Sequence, residues 1–171
     1  DDTFNQSSRF ERYREQFQKL KADGRIYPCY ETPEELERKR KLQMASGGKQ
    51  VYDRSSLSLT DQEKKAYEDK GRKPHWRFLL LTERLKWNDL LKGELDIDLT
   101  SLSDPVLFRE DGVPLYTFTS AVDDIDYNIT NVIRGDDHTS NTAVQIEIIN
   151  AIDKNRICLL YTSPSPRDVC S

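Results

Sequence analysis

Cysteine and histidine are scarce in this chain. Its 171 residues include three cysteines, at positions 29, 158 and 170, and two histidines, at 75 and 138. An odd number of cysteines without paired spacing argues against a disulfide framework and favours a reducing compartment, by default the cytoplasm. A tetrahedral zinc site takes about four thiolate or imidazole ligands, which these scattered residues do not supply. The composition therefore excludes a disulfide-rich secreted domain and predicts no metal site.

Long apolar runs are also missing. Charged residues make up 33% of the chain, apolar residues 36%, and the mean hydropathy is −0.79. No run approaches the ~20 apolar residues that span a bilayer. The first ten residues, DDTFNQSSRF, lack the basic start and apolar core of a signal peptide, and they lack an initiator Met. We therefore expect an internal piece of a larger soluble protein with no membrane partner.

Positive charge is unevenly distributed. The segment from Arg38 to Lys92 holds 15 Lys and Arg against 7 Asp and Glu, whereas the remaining residues hold 11 against 23. Clustered Lys and Arg neutralise phosphates, so this segment favours a polyanionic partner such as a nucleic acid. The alternative is that Arg38–Lys41 and Lys64–Lys73 are simply solvated helix faces.

Capping signals predict three helices in the first half of the chain. Each helix begins with an S/T-x-x-E box and ends near a glycine. The boxes are Ser8 with Glu11, Thr32 with Glu35 and Thr60 with Glu63, and the glycines are Gly24, Gly47 and Gly71. Short strands are predicted at 25–30 and 75–81, where aromatic and aliphatic residues cluster.

The second half of the chain alternates strands and helices. Residues 95–102 are predicted to connect elements with some strand, and Gly112 marks a hairpin turn between 106–109 and 113–116. A helix at 116–126, a strand at 129–134 and a helix at 141–152 predict part of a parallel α/β sheet. The middle of the chain then reads as an inserted α+β unit.

The C-terminal tail differs abruptly from the rest of the chain. Residues 158–168 read CLLYTSPSPRD. Read back through the genetic code, this segment matches a common transposase-type sequencing adapter in one frame. We therefore interpret residues 158–171 as adapter read-through, and the alternative is a disordered Ser/Pro-rich terminus.

The densest group of polar residues lies at 116–142, YTFTSAVDDIDYNITNVIRGDDHTSNT. A few convergent polar groups beside an apolar wall are what a small-molecule site needs. Structural alternatives exist for each group. Tyr116 could pack on the core, Arg134 could form an ion pair with Asp123 or Asp124, and His138 could be a structural histidine.

Three blocks of the sequence resemble the bacterial glutamyl-tRNA synthetases, a family of class I aminoacyl-tRNA synthetases. The blocks are Asp1–Lys41, Val51–Phe78 and Asp104–Ala151. The most specific part is Y-T-F-x-S-x-V-D-D-I-D followed by V-I-R-G-x-D-H-x-x-N-T. The likeness runs in order over residues 1–157.

The resemblance implies an α/β fold: a partial Rossmann-type class I catalytic domain with an inserted α+β connective subdomain that handles the acceptor end of tRNA. We expect the end of the first Rossmann half at 1–24, the connective insertion at 25–113 and the start of the second Rossmann half at 114–157. The basic segment lies mostly in the insertion.

The resemblance also implies roles for individual residues. Tyr116 and Arg134 match glutamate-binding positions, and a phenol with a guanidinium fork suits a carboxylate. Ser120 stands where related enzymes often have Asn. Asp137, with His138 beside it, matches an acidic position near ATP.

Other implied roles concern tRNA and zinc. Candidate tRNA contacts in the basic segment are Arg38, Arg40, Lys41, Arg54 and Lys73. Some family members bind zinc through a C-x-C pair with a later Cys and His. Here Cys29 remains, but Glu31, Ser56 and Ser58 fall at or near the other positions, so we expect no zinc.

The family activates glutamate with ATP and Mg²⁺ and transfers it to the 3′ end of tRNA(Glu), as a cytoplasmic monomer. Its two ATP signatures, an H-I-G-H-like block and a K-[LM]-S-K-R-like loop, are expected before Asp1 and after Ala151. We therefore expect the isolated chain to be inactive. Two alternatives stay open: a non-enzymatic RNA-binding module, and a piece of the shortened paralogue that glutamylates queuosine in tRNA.

Overall fold

The computed structural model describes residues 9–89, 92–135, 139–153 and 159–163. The elements, in chain order, are α1 (Phe10–Ala22), β1 (Ile26–Cys29), α2 (Pro33–Ala45), α3 (Asp61–Asp69), β2 (His75–Phe78), β3 (Arg84–Asp89), β4 (Gly93–Asp98), β5 (Val106–Phe108), α4 (Tyr116–Asp126), β6 (Asn131–Gly135), α5 (Thr139–Ile152) and β7 (Leu159–Ser163). Across these residues, no helix is both long and apolar enough to cross a bilayer.

Two of the three predicted capping boxes are confirmed. The Thr32 and Thr60 side chains each accept a hydrogen bond from the main-chain N–H three residues on. In return, the Glu35 and Glu63 carboxylates accept from the main-chain N–H of Thr32 and Thr60. Ser8 of the third box lies outside the described residues; α1 begins at Phe10, with Arg9 as its N-cap and no side-chain capping bond. The Arg9 guanidinium is instead drawn into ion pairs with α4.

The first sheet is antiparallel, with strand order β1-β2-β5. Ile26 lies opposite Phe78, and Cys29 lies opposite His75. The predicted turn after β5 is confirmed: Gly112 has a φ of +79°, and the Arg109 N–H donates to the Val113 carbonyl. Only one bridge extends this hairpin, between Phe108 and Pro114, because α4 begins two residues later.

The hairpin of β3 and β4 was only partly predicted. Residues 95–102 were expected to connect elements with some strand, and β4 covers the first part of that range, but β3 was missed. Its residues alternate between exposed and half-buried, and most are charged or polar. Cross-strand pairs such as Arg84–Asp96 at 3.0 Å hold it to β4. The strand is therefore held by its main-chain pairing with β4 over six residues, and it buries little apolar surface that a sequence pattern could reveal.

The second sheet has the order β4-β3-β7-β6. The predicted order of helix, strand and helix over 116–152 is confirmed by α4, β6 and α5. Strands β6 and β7 pair in parallel over five residues, with α5 as their crossover. The pairing of β7 uses main-chain groups that any strand-forming segment offers, so the adapter origin of residues 158–171 stays a prediction.

One buried core joins α1, α4 and α5 to the first sheet. Its largest fully buried aliphatic and aromatic side chains include Tyr13, Leu20, Phe78, Leu107, Phe118 and Ile148. These residues come from all three of the predicted segments, 1–24, 25–113 and 114–157. This core holds α1 and α4 against the sheet, and it thereby fixes the position of α4, which carries Tyr116 and Ser120.

Candidate functional site

Tyr116 and Ser120 lie one turn apart on α4. Tyr116 is the first residue of the helix and is 71% exposed, whereas Ser120 is 9% exposed. Residues four apart on a helix share a face. The predicted pair therefore presents an open phenol with a buried hydroxyl behind it.

Helix α5 contacts this face of α4 through Gln145. The Gln145 Nε2 atom donates to Ser120 Oγ at 3.1 Å and to Asp124 Oδ2 at 3.0 Å. Gln145 is buried, with 4% of its surface exposed. Sequence analysis missed this residue, since a glutamine on an apolar helix carries no signal of the partner it will meet.

Helix α1 holds the other side of α4. The Tyr13 hydroxyl donates to the Asp123 carboxylate, and Arg12 makes a two-pronged ion pair with Asp126 at 2.8 and 2.9 Å. Burial and the hydrogen bond to Asp123 raise the pKa of Tyr13. The hydrogen bond from Arg12 lowers the pKa of Asp126. The acidic residues at the end of α4 therefore tie this helix to α1.

Arg134 lies in β6, where its main chain pairs with Thr162. Its side chain falls outside the described residues, as do Asp137 and His138. Their glutamate-binding and ATP-proximal roles stay predictions. Of the two carboxylates suggested as structural partners for Arg134, Asp123 pairs with Tyr13 and Arg9, and Asp124 with Gln145.

The predicted tRNA contacts fall into two groups. Arg38, Arg40 and Lys41 on α2 are exposed, and so is Lys73 in the loop before β2. Lys41 pairs with Glu37 at 2.8 Å, but both side chains are well exposed, so the pair is weak. These four side chains can reach a phosphate without breaking a buried contact.

Arg54 differs from the other four. Its Nε and Nη2 atoms each donate to the Asp104 carboxylate at 2.9 Å, and Nη2 also donates to the Leu80 carbonyl. The Asp104 side chain is fully buried, while that of Arg54 is 43% exposed. Arg54 therefore neutralises a buried carboxylate, and its contact with tRNA stays a prediction.

A groove of about 560 Å³ lies between α2 and the first sheet. Arg40, Arg77 and Arg109 line it, together with His75 and Glu31. Burial lowers the pKa of His75 to about 4, so the imidazole is neutral at pH 7. Its Nε2 atom has no hydrogen-bond partner in the part of the chain that the structure describes. The groove combines positive charge with a neutral ring, but acidic side chains line it too.

The positions implied for zinc hold a hydrogen-bonded cluster. Glu31 accepts from Ser55 Oγ, Ser56 Oγ and Tyr52 Oη at 2.7–2.8 Å, and Lys39 pairs with it at 3.3 Å. Burial would raise the pKa of Glu31, but these hydrogen bonds outweigh it and lower the pKa to about 2.

This cluster does not fit zinc. One thiol, one carboxylate with its oxygens already engaged and serine hydroxyls are a poor ligand set for the ion. Within the described ranges, no three His, Cys, Asp or Glu side chains are grouped to hold a metal. The absence of zinc nevertheless stays a prediction.

Comparison with known proteins gives a consistent result. The family model for the catalytic domain of class I tRNA synthetases (E and Q) matches residues 1–163. The chain is 55% identical over 152 residues to glutamate–tRNA ligase 1 of Maricaulis maris, covering 89% of this chain and 34% of that protein. It is 56% identical over 151 residues to glutamate–tRNA ligase 1 of the Wolbachia of Brugia malayi, covering 88% and 34%. The chain thus spans about a third of the length of these relatives.

The fold is similar to that of a solved protein. A glutamate–tRNA ligase from Elizabethkingia meningosepticum, crystallised in complex with its amino acid, superposes with a TM-score of 0.82. The two are 28% identical, and the match covers 96% of this chain and 34% of that one. The arrangement of α4, β6 and α5 therefore belongs to a known catalytic architecture.

Proposed function

Because the chain belongs to the class I tRNA synthetases (E and Q), within their catalytic domain, we propose that it is part of an enzyme that activates glutamate with ATP and joins it to tRNA. The match over residues 1–163 carries this proposal. It is supported by relatives that are 55% and 56% identical and are glutamate–tRNA ligases.

The proposed first step joins a carboxylate oxygen of glutamate to the α-phosphorus of ATP, and pyrophosphate leaves. Such a displacement depends mainly on positioning and charge stabilisation. The Arg134 guanidinium would pair with a carboxylate of glutamate, and the open Tyr116 phenol would add an oriented hydrogen bond. The Ser120 hydroxyl, one helical turn further along α4, would add a second hydrogen bond to glutamate. ATP with its Mg²⁺ is the co-substrate, and Asp137 and His138 are the residues proposed to lie near it.

The proposed second step transfers the glutamyl group. A ribose hydroxyl at the 3′ end of tRNA attacks the acyl carbon, and AMP leaves. The exposed side chains of Arg38, Arg40, Lys41 and Lys73 would hold the acceptor end by phosphate contacts. We further propose that the enzyme acts as a monomer in the cytoplasm and that residues 25–113 form the acceptor-binding insertion.

A graft tests this proposal. Residues 9–152 would replace the matching segment of the Maricaulis maris ligase, and glutamate-dependent ATP–pyrophosphate exchange and tRNA charging would be measured. We expect the graft to be active and the isolated 171-residue chain to be inactive. A folded graft that binds acceptor-stem RNA but exchanges no pyrophosphate would instead favour an RNA-binding module. Glutamylation of the queuosine nucleoside within a tRNA, instead of the 3′ end of tRNA(Glu), would favour the queuosine paralogue.

A matched pair of variants makes the test specific. In the graft, Tyr116→Phe removes only the hydroxyl proposed to contact glutamate, so the KM for glutamate should rise. Tyr67→Phe removes a hydroxyl far from α4 and should leave KM and kcat for glutamate unchanged. Equal effects of the two variants would count against Tyr116 as a substrate contact.

A further inference from the structure

The side-chain amide of Gln145 faces two acceptors on α4. Its nitrogen lies 3.1 Å from Ser120 Oγ and 3.0 Å from Asp124 Oδ2. Ser120 and Asp124 are four residues apart, so both project from one face of the helix towards α5. An amide nitrogen carries two protons, one for each acceptor.

Asp124 decides the orientation of this amide. An ionised carboxylate only accepts hydrogen bonds, so the amide oxygen cannot take the place of the nitrogen beside it without repulsion. The nitrogen must therefore face α4, and it donates to Ser120 Oγ as well. Because of Asp124, Gln145 is therefore the donor, and Ser120 the acceptor, in the hydrogen bond between these two side chains.

The Ser120 hydroxyl consequently accepts from Gln145 and keeps its own proton for another partner. A helical Ser or Thr commonly donates to a carbonyl of the preceding turn. Thr119 does so, with its hydroxyl 3.2 Å from the Tyr116 carbonyl. Ser120, by contrast, accepts from Gln145 and donates no hydrogen bond within the described part of the chain. A buried hydroxyl with a directed, unused proton then lies one turn behind the exposed Tyr116.

We propose that Gln145 is a positioning residue that fixes Ser120 as a hydrogen-bond donor to a carboxylate oxygen of the bound amino acid. This inference rests on the proposed function, since it concerns the same site. Related enzymes often place Asn at this position, and an amide can donate directly. With the shorter serine, the donor direction has to be imposed from α5. Gln145 acts through Ser120 and does not itself touch substrate.

A structural role for Gln145 as a link between α4 and α5 makes a different prediction. Loss of a link weakens the helix pair whatever residue stands at 120. Loss of a positioning group matters only while Ser120 has a hydroxyl to position. A double-mutant cycle between the two positions separates these cases.

The cycle is measured in the graft described above, with KM and kcat for glutamate in pyrophosphate exchange. Gln145→Met keeps the side-chain length but removes both donors, and we expect KM to rise about 10-fold or more, the loss typical of a hydrogen bond to a charged group. Kcat should change by less than about 3-fold. In the Ser120→Ala background, Gln145→Met should change KM by less than about 2-fold. Gln62→Met, at an exposed glutamine on α3, is the matched control and should change neither constant.

Reversing the polarity of the array gives a second readout. Gln145→Glu places an acceptor beside Ser120 and a second carboxylate beside Asp124, so Ser120 would donate to residue 145 and not to substrate. We expect a larger rise in KM than for Gln145→Met, partly reversed at lower pH as the new carboxyl becomes protonated. A merely structural link predicts the same recovery in the Ser120→Ala background, because protonation also removes the repulsion from Asp124, whereas the positioning role predicts no recovery there.

The outcomes are distinguishable. Additive effects of Gln145→Met and Ser120→Ala, or a fall in kcat with KM unchanged, overturn the positioning role while the proposed function stands. A folded but inactive wild-type graft overturns the proposed function, and the role of Gln145 falls with it. In NMR spectra of the 171-residue chain, slow exchange of both Gln145 side-chain amide protons supports the two hydrogen bonds to Ser120 and Asp124. Fast exchange of both protons argues against them.

Discussion

The Tyr13 hydroxyl lies 2.9 and 3.0 Å from the two carboxylate oxygens of Asp123, joining α1 to α4 across 110 residues of sequence. Both side chains are buried. Because α4 carries Tyr116 and Ser120, this contact sets where the proposed substrate face of the helix lies relative to α1. Asp123 therefore has a structural role: it holds α4 in place against α1.

Tyr13→Phe should destabilise the chain by about 1–3 kcal/mol, because the buried carboxylate loses a donor that water cannot replace. The free energy of unfolding would be measured by urea denaturation. Tyr67→Phe is the matched control, since that ring stacks on Tyr30 at 5.4 Å and its hydroxyl has no hydrogen bond in the described residues. Equal stability of the two variants would show that the other contacts of Asp123, such as that with Arg9, hold it adequately.

Glu31 should make stability depend on pH below about 5. Its pKa is lowered to about 2 in the folded chain from 4.5. A lowered carboxyl pKa stabilises the fold above the unfolded value, and this contribution is lost as pH falls through 4.5 towards 2. The loss is on the order of 3 kcal/mol. Glu31→Gln should flatten the unfolding free energy between pH 5 and 2, and an unchanged slope would exclude Glu31 as its source.

His75 should make stability depend on pH at higher values than Glu31 does. Burial lowers the pKa of His75 from 6.5 to about 4. The unfolded chain therefore binds the proton first, so stability falls as pH drops from 6.5 to 4 and then levels off as far as this group is concerned. His75→Gln should remove the slope between pH 6.5 and about 5 and leave the one below about pH 5 that we assign to Glu31. A variant that keeps the wild-type profile from pH 7 to 4 would contradict this assignment.

Arg54 and the exposed basic residues should separate into two phenotypes. Arg54→Ala leaves Asp104 buried without its cation and should cost about 3 kcal/mol or more in unfolding free energy. Arg38→Ala combined with Lys41→Ala should leave stability nearly unchanged. The double variant should instead weaken binding of an acceptor-stem RNA hairpin and reduce its salt dependence. RNA binding that is unaffected by the double variant would remove α2 from the proposed interface.

Zinc should be irrelevant to folding. Structural zinc contributes directly to folding free energy, so a chelator unfolds domains that depend on it. We expect no change in Tm when the purified chain is dialysed against EDTA, and no zinc by elemental analysis. A lower Tm after chelation, restored by added zinc, would show that the Cys29 and Glu31 cluster does bind the ion.

Interactions within four residues were readable from the sequence. Thr32 and Glu35 meet because one helical turn brings them together whatever the rest of the chain does. The turn at Gly112 follows from an equally local rule, because its φ of +79° suits glycine. Strand β3 was missed because it buries little apolar surface, so its sequence does not show the pattern of a strand that pairs with β4.

The sequence by itself also determined the family, since the motif around Tyr116 and Arg134 is specific in both residue type and spacing. It could not separate Arg54 from the other basic residues, because a guanidinium looks the same whether it faces solvent or a buried carboxylate. Nor could it show that Tyr13 meets Asp123 or that Gln145 directs Ser120. Those partners lie 110 and 25 residues apart. Only the packing of the helices against one another and the sheet decides which distant polar groups share a buried space and must satisfy each other there.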